Sequence, residues 1–247
     1  MRPLLTILFL TIGVVSAQVR FVPNDGQWAN HIQHRTEVVG GGIQIESKGW
    51  TCWQWAPDTS VEQDHHSGSR KGIVWQSQWI DATPIGSTDW DRHGLASDRQ
   101  HFYLSNEPSQ WAEHVQPAAM INADNIWSGI QLRWRGTRRG RAAFEFTVEP
   151  GADPSKIGWR YSGVEPSIGP KGELQLIHSL HDRSADFWAE LARPFAFQLR
   201  DDGTLETVAC HYQLTNGEVR FSLGEYDGQR PLIIDPEITF STFAGST

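Results

Sequence analysis

Phe144, Phe146 and Val148 alternate with Glu145, Thr147 and Glu149, and the run ends at once in Pro150-Gly151-Ala152-Asp153-Pro154. A two-residue period puts one row of side chains on a core and the other in water, which is a half-buried β-strand. Pro150 has no N–H for a ladder, Gly151 accepts a positive φ, and Asp153-Pro154 favours a turn. A second strand is predicted over residues 156–161. The unit is therefore strand, polar corner, strand, with Pro150, Gly151, Asp153 and Pro154 as the structural corner.

The same unit recurs. Strands are predicted at 19–22, as three strands over 31–55 separated by Gly40-Gly41-Gly42 and by Gly49, and at 72–81. Trp50, Cys52 and Gln54 share one face of their strand, while Trp53 and Trp55 share the other; Trp75 and Trp79 share a face of theirs. Residues 58–71 read as a mobile polar loop and 82–100 as irregular. A short strand at 101–104 precedes one helical turn beginning at Ser109-Gln110-Trp111. Further strands are predicted at 114–121, 126–135, 141–148, 173–178, 187–191, 195–199, 205–213, 218–223 and 232–234. Asp201-Asp202-Gly203 and Thr215-Asn216-Gly217 are hairpin signals. Closely spaced strands, with 23 Gly, 13 Pro and 12 Trp, define an all-β chain: an antiparallel β-sandwich, with two stacked sandwich-like lobes as the alternative and very little helix.

Arg2 and the apolar run 4–15 lead to Val15-Ser16-Ala17, small residues of the kind that precede a signal-peptidase cut. Residues 1–17 are read as a signal peptide with Gln18 as the mature start. The mature protein is expected to be secreted or on the cell surface and not membrane-spanning. The module is expected over 18–236, with sub-lobes 18–110 and 111–236 as a finer division. Residues 237–247 read as the start of a following repeat or a C-terminal tail. A formal net charge of -8 and a pI near 5.6 argue against nucleic acid as a partner. Export permits a disulfide between Cys52 and Cys210, whose long loop would be worth about 4–5 kcal/mol. Two separate buried thiols are the equal alternative.

Six landmarks in order carry a resemblance: Pro23-Asn24-Asp25-Gly26-Gln27-Trp28; His101-Phe102-Tyr103-Leu104 with Trp111; the strand 126–134; the Pro150-Gly151-Ala152-Asp153-Pro154 corner; Arg193-Pro194-Phe195-Ala196-Phe197-Gln198; and Ile233-Ile234-Asp235-Pro236 followed by Phe240-Ser241-Thr242-Phe243-Ala244-Gly245. The chain resembles the N-terminal domain of unknown function of Bacteroidetes-type surface proteins, which often precedes β-propeller-type repeats. It departs from that pattern at Gln131, where the family carries Asp. The resemblance implies an all-β surface module without assigned catalytic residues. Its expected partners are a following domain of a longer surface protein or other envelope components.

Chemistry-bearing patterns are sparse. Nucleophile-elbow, P-loop, His-Glu-x-x-His and Cys-x-x-Cys motifs are absent from the sequence, and no catalytic residue, metal or cofactor is expected. His178, His181 and Asp182 are spaced for a helix or turn rather than for one face of a strand. Arg135, Arg138 and Arg139, within a run from Arg133 to Arg141, are candidate anion or glycan contacts against the simpler reading of a solvated hairpin. Trp53, Trp55, Trp75 and Trp79 are candidate sugar-stacking residues against the simpler reading of core and edge cover. Three functions follow: a non-catalytic adhesion or assembly module, packed through Leu232, Ile233, Ile234, Phe240 and Phe243 on a following domain; a carbohydrate-binding module; or a hydrolase with an unmarked carboxylate pair.

Overall fold

The computed structural model describes residues 19–55, 72–137, 140–179, 186–236 and 238–243. The predicted signal peptide, the loop around His65-His66, Arg138, Arg139, His181 and Asp182 lie outside the described residues. In chain order the first strands are β1 (Val22–Pro23), β2 (Ile32–Val38), β3 (Gly41–Glu46), β4 (Gly49–Trp55) and β5 (Gly72–Trp79). Next come β6 (Trp90–Leu95), β7 (Gln100–Phe102), β8 (Ala112–Val115), β9 (Ala118–Trp127), β10 (Ile130–Gly136) and β11 (Ala142–Val148). They are followed by β12 (Gly158–Ser162), β13 (Glu165–Ile168), β14 (Leu174–Ser179), β15 (Asp186–Leu191) and β16 (Phe195–Leu199). The last are β17 (Leu205–Val208), β18 (Cys210–Thr215), β19 (Glu218–Leu223), β20 (Leu232–Asp235) and β21 (Ile238–Phe243). Among the described residues helix is confined to single 3-10 turns at Ser87–Asp89, Pro108–Gln110 and Pro154–Lys156.

Two antiparallel sheets carry the fold. One has the order β1-β2-β3-β4-β5-β12-β19-β18 and the other β17-β16-β20-β11-β10-β9-β6. A third sheet, β13-β14-β15-β21, and the small β7-β8 ribbon complete it. Strands from before and after residue 110 share both large sheets, through β5 with β12 and β6 with β9. Residues 238–243 pair with β15.

The large sheets face each other across an aromatic core, as sandwiches do. The expected inward row of β11 is there: Phe144 and Phe146 are fully buried and Val148 nearly so. Trp50 of β4 reaches across to Phe144 and Trp134, with ring centroids 5.3 and 5.8 Å away, and lies 4.5 Å from Trp79 in its own sheet. Trp159 stands 6.1 Å from both Trp50 and Phe144. Tilted and edge-on contacts like these add to the area each ring buries. Leu232 and Ile234, expected to dock a following domain, are wholly buried in this core; β20 lies between β11 and β16.

The structure corrects several readings. Residues 90–95 form a strand where irregular chain was expected. Only Trp90 in it is buried, so the stretch carries no alternating pattern. The single strand expected at 205–213 is two. β17 pairs with β16 in one large sheet and β18 with β19 in the other, and Ala209 alone spans the change. The strand expected at 126–135 turns back at Ser128-Gly129, where Gly129 takes φ 71°. Glu145, expected in water, is nearly buried beneath Arg133 (2.6 Å) and Arg135 (3.4 Å).

Cys52 and Cys210 are separate buried thiols. β4 and β18 are four strand spacings apart in one sheet, roughly 19 Å, whereas a disulfide needs Cα atoms within about 7 Å. Burial pushes the Cys210 thiol up to about 12 and holds that of Cys52 far above its ordinary range.

Candidate functional site

Asn24 organises the first landmark. Its amide donates to the carbonyls of Trp28, Ala29 and Ile32 at 3.2, 3.1 and 2.8 Å. Its Oδ1 accepts from the N–H groups of Gly26 (3.2 Å) and Trp28 (3.0 Å). Gln27 clasps the same loop, donating to the Pro23 carbonyl at 2.7 Å and accepting from the Asp25 N–H at 2.7 Å. One asparagine and one glutamine thus satisfy a tight loop whose product is a fixed Trp28.

Trp28 meets Phe102 of β7 edge-on at 5.5 Å. The Arg35 guanidinium of β2 lies over Trp28 at 5.1 Å and over Trp53 of β4 at 4.9 Å. Trp53 reaches Arg35 by crossing Gly42 of β3, where a Cβ would sit 2.0 Å from the indole Cζ2. The planar cation lies over two indoles at once, a use for which arginine suits better than lysine.

A groove of about 720 Å³ opens beside this stack. Its walls are Val19, Val22, Val38, Val39, Phe102 and Leu104, with Arg20, Arg35, Glu37 and Gln100 as the polar groups. Burial raises the Glu37 carboxyl above its ordinary range, and Arg35 opposes that rise. Leu104, which lines the groove, is 60% exposed, and its neighbours Tyr103 and Trp111 are 55% and 42% exposed. Tyr103 donates to Glu113 at 2.7 Å and packs edge-on against Trp111 at 5.2 Å. Mostly apolar walls with a few fixed polar groups are the make-up of a ligand groove.

The candidate residues from the sequence disperse. Trp75 and Trp79 are core residues, 3% and 6% exposed, and offer no stacking surface. Trp53 belongs to the arginine stack. Trp55 lies outward against Gly72 and is 36% exposed. Arg135 is held between Glu145 (3.4 Å) and Asp235 (2.5 Å). His178 lies in β14, and among the described residues no group of three or more His, Cys, Asp or Glu is placed to hold a metal. Pro150, Gly151, Asp153 and Pro154 form the expected corner: Gly151 takes φ 80°, and Asp153 accepts from the Ser155 N–H at 3.0 Å. The Ser155 hydrogen bonds hold its carboxyl below the usual range.

Sequence reasoning missed Trp28, Arg35, Glu37, Phe102 and Leu104 as site residues. Gly42 opposite Trp53 was the available signal, since a glycine facing a tryptophan on a neighbouring strand marks an indole lying across it. Other landmarks serve the fold. Gln198, nearly fully buried, donates to the carbonyls of Asp227 (2.8 Å) and Arg230 (3.0 Å) and accepts from the Asp227 N–H (2.8 Å).

Together these features define an antiparallel β-sandwich domain with an aromatic groove at the edge of its larger sheet. The chain belongs to the domain-of-unknown-function family DUF7948, which matches residues 21–237. No curated protein and no solved structure matches it.

Proposed function

We propose that this domain is a non-catalytic, exported module of a larger surface protein of Bacteroidetes type, serving adhesion or assembly by holding a partner in its edge groove. The observation that carries this is the preformed aromatic wall of Trp28, Phe102 and the stacked Arg35, continuous with exposed Leu104. An interaction site of this sort combines rigid aromatic anchors with an apolar rim. Export rests on residues 1–17. Expression of the full chain should yield a mature N-terminus at Gln18; a chain retaining Met1 in the cytoplasm overturns that half. For the other half, cells displaying the domain should adhere to one another less when Trp28→Ala and Leu104→Ala are combined. Unchanged adhesion by a folded variant rejects the groove.

A second reading, glycan binding, is favoured by two indoles laid on the outer face of the larger sheet. Trp53 lies across Gly42 and Trp55 against Gly72. Beside them Glu46 accepts from Gln44 (2.9 Å), Thr51 (2.6 Å) and Gln76 (3.0 Å). Flat aromatic faces next to fixed amides suit sugar rings. Affinity electrophoresis in soluble polysaccharides, with Trp55→Ala as the comparison, discriminates: retardation lost in the variant supports it, and equal mobility removes it.

A further inference from the structure

The groove is a wedge in the sheet edge. The Asn24 N–H donates to the Gln33 carbonyl at 2.9 Å, and Val22 pairs with Arg35 in the same register. In an antiparallel ladder main-chain groups point alternately to the two sides. Residues 33, 35 and 37 therefore turn theirs toward β1. The next partner along β1 would be Arg20 opposite Glu37, but the chain leaves before reaching it. Phe21, whose main-chain groups point away from β2, bridges Ala118 of the other large sheet with bonds of 2.8 and 2.9 Å. Val19 follows it away, so close to Gly136 that a Cβ there would lie 2.9 Å from the Val19 Cβ. The Glu37 N–H and carbonyl are left facing the wedge. It closes at the Val22–Arg35 pair, and Val39 and Gly140 also line it.

The closed end has its own chemistry. Among the described residues the Arg35 Nε is buried without a hydrogen-bond partner, and the Glu37 carboxyl is near enough to feel the charge of the guanidinium. Contacts with both Trp28 and Trp53 hold the group in place. A fixed guanidinium with unspent donors is complementary to a carboxylate. A strand entering between β2 and residues 19–21 meets a closed ladder at Val22 and cannot run through, so it must terminate there.

We propose that the wedge receives the free carboxyl-terminal end of an extended, aliphatic polypeptide. The occupant adds a short strand antiparallel to β2 and bonds its main chain to Glu37. Its side chains rest on Val38, Val39, Phe102 and Leu104, and its terminal carboxylate meets Arg35. Main-chain pairing supplies affinity and the side-chain walls supply selectivity. This deepens the reading of the domain as an assembly module, because it names the kind of partner the groove holds.

The probe is the acetylated hexapeptide Thr-Val-Thr-Val-Thr-Val with a free carboxyl terminus, titrated calorimetrically into the mature full chain. It should bind, and its C-terminal amide should bind at least about tenfold more weakly, since a hydrogen bond to a charged group is lost. N-methylation of the amide facing Glu37 should weaken it similarly. Relative to Glu37→Ala, which removes the carboxylate alone, Glu37→Pro removes only an N–H that the fold does not use, at an edge that tolerates proline. It should abolish binding without lowering the melting temperature. Equal affinity for acid and amide overturns the proposal, as does no binding at millimolar peptide. Binding of cellohexaose in the groove with no peptide binding also overturns it, yet leaves the adhesion reading standing. The two amide-modified peptides keep the test intact should Glu37→Pro fail to fold.

Discussion

The Trp53 indole occupies the space above Gly42, where an added Cβ would come within 2.0 Å of its Cζ2. A methyl at Gly42 must therefore dislodge a ring that braces Arg35. Gly42→Ala should destabilise the domain by about 1–3 kcal/mol, the usual cost of overpacking. Equilibrium urea unfolding checks this. Because the stack is broken, the environment of Trp28 should change as well, visible as a shift in its assigned indole N–H resonance.

Trp50 touches Trp79, Trp134, Phe144 and Trp159, drawn from both large sheets. Trp50→Ala should cost about 3–5 kcal/mol. Trp55→Ala, at an outward and partly exposed position, should cost under about 1 kcal/mol. The contrast between the two in chemical denaturation separates core from surface.

His34 is buried edge-on against Trp90 at 5.5 Å, and burial, then Arg92, lowers its pKa to about 3. The unfolded chain takes up a proton near pH 6.5 that the folded chain refuses, so stability falls as pH drops from 6.5 toward 3. Between pH 7.5 and 5.5 the loss should be about 1.4 kcal/mol. His34→Gln should flatten that limb. A slope unchanged in the variant would mean that another group carries it. The carboxyl groups held low by hydrogen bonds and arginines, such as Glu206 and Asp227, act in the lower window, beneath their unfolded values.

Cys52 and Cys210 should both remain thiols in purified, non-reduced protein. A thiol reagent at pH 8 should find neither in the native chain, since both are buried with raised pKa values, and both after unfolding in guanidinium. A non-reduced peptide joining the two would contradict the strand order.

Much of the fold was legible because alternation is local. The Phe144 row, Trp75 with Trp79, and Trp50 with Cys52 and Gln54 all face inward as a two-residue period requires. β6 was illegible because it is an edge strand with one buried residue, so main-chain bonds to β9 hold it without a side-chain signature. The break at Ala209 was illegible because alternation continues through a residue that changes sheet. The candidate site was less legible still. Of four tryptophans singled out, two are core, one braces an arginine and one lies outward, and period tells only which residues share a face.

From its own residues the chain determined where strands run and where glycine, proline and asparagine turn them, because φ restriction and side-chain alternation act between neighbours. The loop that fixes Trp28 belongs to this class, since Asn24 and Gln27 satisfy it within a few residues. Tertiary structure alone decided that β12 would fall between β5 and β19, and that the chain before Val22 would run to Ala118 without pairing with β2. Those choices depend on burying a whole aromatic interior at once, a sum over distant residues that no window of sequence contains. The wedge beside Arg35 is a product of that second kind of choice.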